Sequence, residues 1–436
     1  MSLQSDFTTF LSDIEPSKTT VDQISSAHSS LRDYLNSHEE YGKHCVSTYL
    51  SGSYAKHTSI RPAKDDDNRD VDVVVETDYS TDSDSADIII ELRDALLDSS
   101  KYASAHLQTH SVGISLSKLD IDVVPLAISE ESRFIGCVDD GQWTETNPKG
   151  HIEWSSGVNA DNNGKYKPVV KIMKWWRREN CPEGERWPKG ITLEKIIADY
   201  FPADVSLYED IIIQLMEGIA EAYDALLVGG IKPGVVDPAL PSNDLAAGYR
   251  IEDFQAFVDA IHASLNLLSE EGSTNETWRK VLGERFPAGS QNQLAISSYS
   301  YLPIECALAV THRETPPWQM SCRGPRVIVI ADVTYPDGRK ERIGTNGRVI
   351  PKKCTIDYRV LRSPSLTSAM VKWQIVNTGD EAQQADQLRG GFDNSNLVNG
   401  GRRELTAYTG RHYVQCFLVR NNKCIAFSKE FFINVE

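Results

Sequence analysis

The sequence predicts three units in series: a mixed α/β lobe, a helical lobe beside it, and a C-terminal all-β sandwich. Three observations predict them. Two short β-branched runs, 71–75 and 121–124, are set among helix-like segments, as in a sheet covered by helices. Between about 169 and 286 apolar residues recur at helical spacing. Beyond about 323, six strand-like runs are divided by turn signals such as Pro336-Asp337-Gly338 and Asn421-Asn422, the pattern of a β-sandwich. The expected bounds are 1–168 for the α/β lobe with an N-terminal helix, 169–300 for the helical lobe, 301–322 for a linker and 323–436 for the sandwich.

In chain order, the first element is a helix. Thr20 with Gln23 reads as its capping box, and Val21, Ile24, Leu31 and Leu35 as its apolar stripe. A Gly52-Ser53 turn leads to the strand 71–75, and an Asp/Ser-rich loop ends in a cap for an amphipathic helix at 86–97. Residues 106–112 and 115–122 read as strands, with Gly113 between them. His106 and His110 have the spacing of a helical metal pair, but no Glu stands between them and the stretch is strand-like, so a metal role is not expected. Residues 137–167 are polar and without period. A helix begins at Pro168, carrying Lys171 and Lys174 on one face beside Trp175 and Trp176; on composition alone those lysines suit a solvated face. Lys189-Gly190-Ile191-Thr192-Leu193-Glu194 opens the next helix, and 211–227 and 254–268 continue the lobe. The six β-runs are 326–335, 354–361, 370–377, 402–408, 412–420 and 423–435.

The chemistry is concentrated in two strands. Asp70 and Asp72 stand two apart, so on a strand both point to one face. Ionised carboxylates that close repel unless a cation lies between them, and carboxylate pairs are the usual protein ligands of Mg²⁺. Asp120-Ile121-Asp122 repeats the pattern, and a strand carrying it beside the first completes a three-carboxylate set for two metal ions. An Asp-x-Asp pair alone is commonly a solvated strand face. The Gly52-Ser53 turn just upstream, able to offer N–H groups and a hydroxyl to phosphates, shifts the reading to a metal-dependent nucleotide site.

Gly52-Ser53, Asp70-x-Asp72 and Asp122 before Val123-Val124-Pro125 resemble the signature of the polymerase-β-like nucleotidyltransferases. The resemblance is closer to the branch of oligoadenylate synthase, cyclic GMP–AMP synthase and the bacterial enzymes that make cyclic oligonucleotides. It implies catalytic and metal-ligating roles for Asp70, Asp72 and Asp122, Asp122 matching better than its neighbour Asp120. It also implies two Mg²⁺ or Mn²⁺ ions per site and NTP substrates with ATP among them. Donor phosphates would lie on Gly52 and Ser53, with Lys174 on the triphosphate, Lys171 as a second match and Thr192 in place of a serine. The loop Asp65-Asp66-Asp67-Asn68 departs from the family as an insertion. Asn377, Arg389 and His412, each in a Gly-containing turn, resemble parts of the adenylyl/guanylyl and SMODS C-terminal sensor domain; they are candidates for its ligand site, or for hydrogen bonds that stabilise the turns. The implied product is a cyclic oligonucleotide second messenger in bacterial anti-phage signalling, read by a downstream receptor. The alternatives are a transferase that modifies a tRNA, protein or small molecule, and a catalytically silent nucleotide sensor.

Composition sets the outer limits. The 436 residues allow two or three domains, 40% hydrophobic and 25% charged residues are ordinary for a soluble protein, and a net charge of −17 argues against general nucleic-acid binding. Eight cysteines without a Cys-x-x-Cys pair suggest a reducing cytoplasm, and neither a signal peptide nor a membrane-length apolar run is evident.

Overall fold

The computed structural model describes residues 3–62, 68–117, 119–203, 205–289, 301–322, 327–347, 349–361, 366 and 368–436. The Asp65–Asp67 part of the expected insertion and the expected sandwich boundary at 323 lie outside them.

The sheet of the α/β lobe is built from β1 (Cys45–Leu50), β2 (Arg69–Thr77), β3 (His106–Leu107), β4 (Val112–Leu116), β5 (Leu119–Ser129), β6 (Ser132–Gly136) and β7 (Trp143–Thr146). The order is β1-β2-β5-β4-β3, with β6 also on β5 and β7 beyond it. β2 and β5 are parallel and central. Their odd-numbered residues Val71, Val73, Val75, Ile121 and Val123 are buried against Ile24, Leu31 and Leu35 of α2 (Lys18–Ser37) and Ile89, Leu92 and Leu96 of α4 (Ser85–Leu97). Each such burial stabilises the fold by about 1.5–3 kcal/mol. Since the side-chain period is two, this fixes Asp70, Asp72, Asp120 and Asp122 on the opposite face.

Several local expectations change. The α2 cap is Ser17, whose hydroxyl accepts from the Thr20 N–H at 3.2 Å, and Val21 stays exposed. Gly113 lies within β4, not between strands, paired with His106 of β3; a Cβ there would come within 2.7 Å of the Gln108 and His106 side chains. The unpatterned 137–167 stretch holds β7 and α5 (Pro148–Asp161). In α5 Ser155 is the one fully buried residue, so no apolar stripe marked it, although its Asn147 cap accepting from Gly150 N–H (2.9 Å) is a readable start.

The helical lobe contains α6 (Tyr166–Asn180), α7 (Gly190–Asp199), α8 (Tyr208–Val228), α9 (Ile251–Glu271) and α10 (Asn275–Leu282). α6 is its centre, with Val169, Val170, Ile172, Met173 and both tryptophans buried. The buried indoles are satisfied: Trp175 donates to Leu282 O at 3.0 Å and Trp176 to Ser264 Oγ at 2.9 Å. The N-terminal helix α1 (Gln4–Ile14) packs here and not on the sheet, setting Phe7 edge-on to Trp278 and Phe286, and Phe10 edge-on to Trp175 and tilted against Phe286.

The C-terminal part is a two-sheet sandwich. One sheet runs β10 (Lys340–Ile343), β9 (Ile328–Thr334), β11 (Thr355–Leu361), β14 (Arg402–Leu405). The other runs β13 (Phe392–Asn394), β12 (Met370–Val376), β15 (Gly410–Arg420), β16 (Lys423–Phe427), β8 (Gln319–Met320), with β17 (Phe431–Val435) also on β15. The run expected as one strand at 423–435 is two. Ser428 interrupts it, donating its N–H to Cys416 O and accepting from Cys416 N–H, both at 2.9 Å. Ile328, Ile330 and Leu361 belong to the core of the helical lobe, so the sandwich and that lobe share apolar packing. Above it, buried Arg342 pairs with Glu209 at the start of α8 and with Asp332 (2.8 Å), and Arg359 pairs with Asp210 (3.2 Å). Among the described residues no helix is long and apolar enough to cross a membrane.

Candidate active site

Parallel pairing of β2 and β5 places Asp70 beside Asp120 and Asp72 beside Asp122. Burial raises the pKa of Asp72, and the charges of Asp122 and Asp70 raise it further, with Lys56 opposing. Asp70 is raised by burial, then by Asp122, then by Asp120. Asp122 thus acts on both β2 carboxylates, and its own oxygen accepts from the Gln108 amide at 3.0 Å. Asp120 is instead tied to Asn68 (3.0 Å). Among the described residues no three His, Cys, Asp or Glu groups form a ready-made metal cage. What Asp70, Asp72 and Asp122 share is a face, an all-oxygen donor set and mutual repulsion. A hard divalent cation bringing water and phosphate ligands fits that set.

The Gly52-Ser53 turn presses on this group. Gly52 has φ +58° and opens the single-turn helix α3 (Gly52–Ala55); a Cβ there would overlap the Asp72 carboxylate. Ser51 N–H donates to Asp72 O at 2.9 Å, clamping turn to strand. Ser53, Asp70 and Lys174 line one cavity of about 390 Å³.

Lys174 is held rather than free. Its ammonium lies 2.6 Å from Glu194, whose side chain is fully buried and also meets Lys56 at 2.8 Å and the Thr58 hydroxyl at 2.8 Å. Burial lowers the Lys174 pKa against the pull of Glu194. Burial would raise the Glu194 carboxyl, but Lys174 and Lys56 hold it below its usual range. Sequence reasoning missed Lys56, Glu194 and Gln108. Lys56 lies three residues after Ser53 and Glu194 ends the Lys189–Glu194 motif, so position carried a signal for both; a glutamine on a short edge segment carried none.

Two further candidates lie elsewhere. Lys171 pairs with Glu15 at 2.7 Å. The Thr192 hydroxyl is turned to Leu245 O (3.2 Å), so it does not stand in for a phosphate-binding serine. His106 and His110 sit on a strand and a turn, and His110 Nδ1 bonds Gly136 O at 2.7 Å.

Asn377, Arg389 and His412 do meet, on a 270 Å³ cavity at one end of the sandwich. Their polar atoms are already engaged. Asn377 donates to Gln387 O (2.7 Å) and accepts from Arg389 N–H. Arg389 pairs with Glu404 (2.7 Å) and Asp393. His412 Nδ1 accepts from Thr378 N–H (3.0 Å) and Nε2 donates to Tyr408 O (2.8 Å), a neutral ring whose pKa burial lowers. An arginine already saturated by two carboxylates has no donor fork to give a phosphate, so the turn-stabilising alternative is the one these bonds support.

Residues 1–159 match the model of the Second Messenger Oligonucleotide or Dinucleotide Synthetase domain, and 308–436 that of the Adenylyl/Guanylyl and SMODS C-terminal sensor domain. A cyclic AMP-AMP-AMP synthase of Acinetobacter sp. is 36% identical over 68% of this chain and 89% of its own. A cyclic AMP-AMP-GMP synthase of Enterobacter hormaechei is 26% identical over 66% of this chain and 92% of its own. The solved structure of E. coli MS115-1 CdnC with ATP superposes with a TM-score of 0.53 at 20% identity, covering 65% of this chain and 99% of that one, a likeness of fold. With its polymerase-β-like core and strand-rich C-terminal domain, the chain belongs to the bacterial nucleotidyltransferases that make cyclic oligonucleotides and carry a C-terminal sensor domain.

Proposed function

We propose that the chain uses Mg²⁺ to transfer nucleotidyl groups from NTPs, ATP among them, to ribose hydroxyls, closing a cyclic oligonucleotide that a downstream receptor reads in cytoplasmic anti-phage defence. The observation that carries this reading is the register that sets Asp72 against Asp122 and Asp70 against Asp120, with Gly52 backed onto Asp72. Asp70, Asp72 and Asp122 are the residues that would hold the ions, with Asp122 on the side of the attacking hydroxyl. When bound, the ions neutralise charge on the attacking oxygen and the leaving pyrophosphate. Gln108 fixes the Asp122 carboxylate where the acceptor hydroxyl gives up its proton. Gly52 and Ser53 hold the donor phosphates, and the cationic excess of Lys174 and Lys56 over Glu194 faces the leaving group. The 36% likeness to a cyclic AMP-AMP-AMP synthase supports a cyclic product containing adenosine.

Incubating the full chain with single and mixed NTPs and Mg²⁺, followed by mass spectrometry, tests this. A cyclic oligonucleotide with pyrophosphate release is expected. Nucleotidyl transfer that appears only when a tRNA, protein or small-molecule acceptor is added would overturn it, as would no pyrophosphate at all.

A further inference from the structure

The cavity that Asp70 opens onto has an unbalanced wall. Besides Ser53 and Lys174 it is lined by Arg61, Arg69 and Arg178, in a chain whose net charge is −17. Two of these cations are accounted for: Lys174 by Glu194 at 2.6 Å and Arg61 by Asp13 at 3.0 Å. Arg69 and Arg178 are not. Arg178 lies one helical turn beyond Lys174 on α6. Its Nη1 donates to Arg61 O (2.7 Å) and its guanidinium lies 3.7 Å over the Trp175 ring, so its plane is fixed. Its Nε and Nη2 are buried without an acceptor. Arg69, the residue before Asp70, likewise has a buried Nε without an acceptor. Among the described residues neither guanidinium meets a carboxylate at ion-pair distance. Buried N–H donors on a cation are costly to leave unmet, and in-plane guanidinium pairs match phosphate oxygens.

We propose that Arg69 and Arg178 form an oligophosphate subsite in the cleft, gripping the end of a nucleotide polyphosphate whose reacting portion lies at Asp70 and Ser53. This rests on the reading that NTPs occupy the cleft. The volume, about 390 Å³, exceeds one phosphate group, and the subsite is continuous with the residues assigned to the donor phosphates. The same chemistry serves two sources, the triphosphate tail of the donor NTP and the 5′-triphosphate of the acceptor strand.

Calorimetry on the full chain, without turnover, tests it with inorganic tripolyphosphate, ATP, ADP, and a linear adenosine dinucleotide with and without its 5′-triphosphate. Wild type should bind tripolyphosphate. Arg69→Gln and Arg178→Gln should each weaken it about tenfold or more, with Arg178→Lys in between and melting curves reporting the fold. The charge-matched control Lys195→Gln, on α7 and paired with Asp199, should bind as wild type does. Loss of the ATP-over-ADP preference in the arginine variants places the donor tail there; loss of the preference for the 5′-triphosphorylated dinucleotide places the acceptor there. Wild-type-like tripolyphosphate binding in a folded Arg69→Gln, or no binding by wild type, would overturn the subsite. Neither result touches the proposed product, which mass spectrometry decides separately.

Discussion

The cleft of the catalytic lobe, about 390 Å³, and the cavity of the sandwich, about 270 Å³, are both lined by arginine, yet their charges are arranged in opposite ways. In the cleft, burial and then the charge of Asp122 raise the pKa of both Asp70 and Asp72, and Arg69 and Arg178 keep donors unmet. In the sandwich, Arg389 and Arg402 are matched by Asp393 and Glu404, and both nitrogens of His412 are bonded. Charge left unsatisfied by the protein is charge kept for a charged ligand. Charge already satisfied builds the wall.

The widest test of this contrast is to remove a cleft carboxylate. Asp70→Asn, Asp72→Asn and Asp122→Asn should each lower turnover about a hundredfold or more, since such an interaction is worth ~3 kcal/mol in the transition state. Melting temperatures should hold or rise as repulsion is relieved. Near-native turnover in Asp122→Asn would shift the third metal ligand to Asp120.

Glu194→Gln probes a part of the cleft built like the sandwich, its charges matched within the protein. It leaves Lys56 and Lys174 buried without their carboxylate and should cost about 3–5 kcal/mol of stability in urea denaturation. Lys174→Ala leaves the Lys56–Glu194 pair, so it should raise the NTP KM and cut turnover with a smaller stability loss. The reverse ranking would make Lys174 a packing residue.

Asp210, between the two regions, has its carboxyl pushed up to about 6 by burial, against the pull of Arg359. A carboxyl with a folded pKa above its unfolded one takes up a proton on folding. Its cost to the folded state therefore appears as pH rises from about 4 through 6, reaching up to ~3 kcal/mol. Wild-type stability relative to Asp210→Asn should fall across that window; a rise would mean that Arg359 dominates.

The smallest effect is expected at Arg389. Its pairs are partly exposed, so Arg389→Ala should cost about 1 kcal/mol or less. Basal turnover and tripolyphosphate binding should not change. A phosphate-binding defect at this position would erase the contrast.

The carboxylate strands were legible because two chemical signals coincide there: β-branched burial on odd positions and aspartate on even ones. That alternation fixes the face whatever the loops do. Helix α5 was not legible, because it lies over the surface with almost nothing buried. The Lys56–Glu194–Lys174 cluster was hidden for another reason. It joins residues from the turn, α6 and α7, and no periodicity reports a contact between segments so distant in the chain. Asn377, Arg389 and His412 stood out by their Gly-containing turns, but that they line one cavity, and which of their atoms are already bonded, are properties of the folded neighbourhood alone.

The apolar seam of Ile328, Ile330 and Leu361, roofed by Arg342 on Glu209, bears on how such chains are recombined. A sandwich transplanted onto another synthase would arrive with a sticky face and a stranded cation unless its counterparts on α8 and α9 travelled with it. The inheritable cassette is therefore not the C-terminal segment alone, but that segment together with the two helices it packs on. Chimeras cut at the linker should aggregate where chimeras that also exchange α8 and α9 stay in solution.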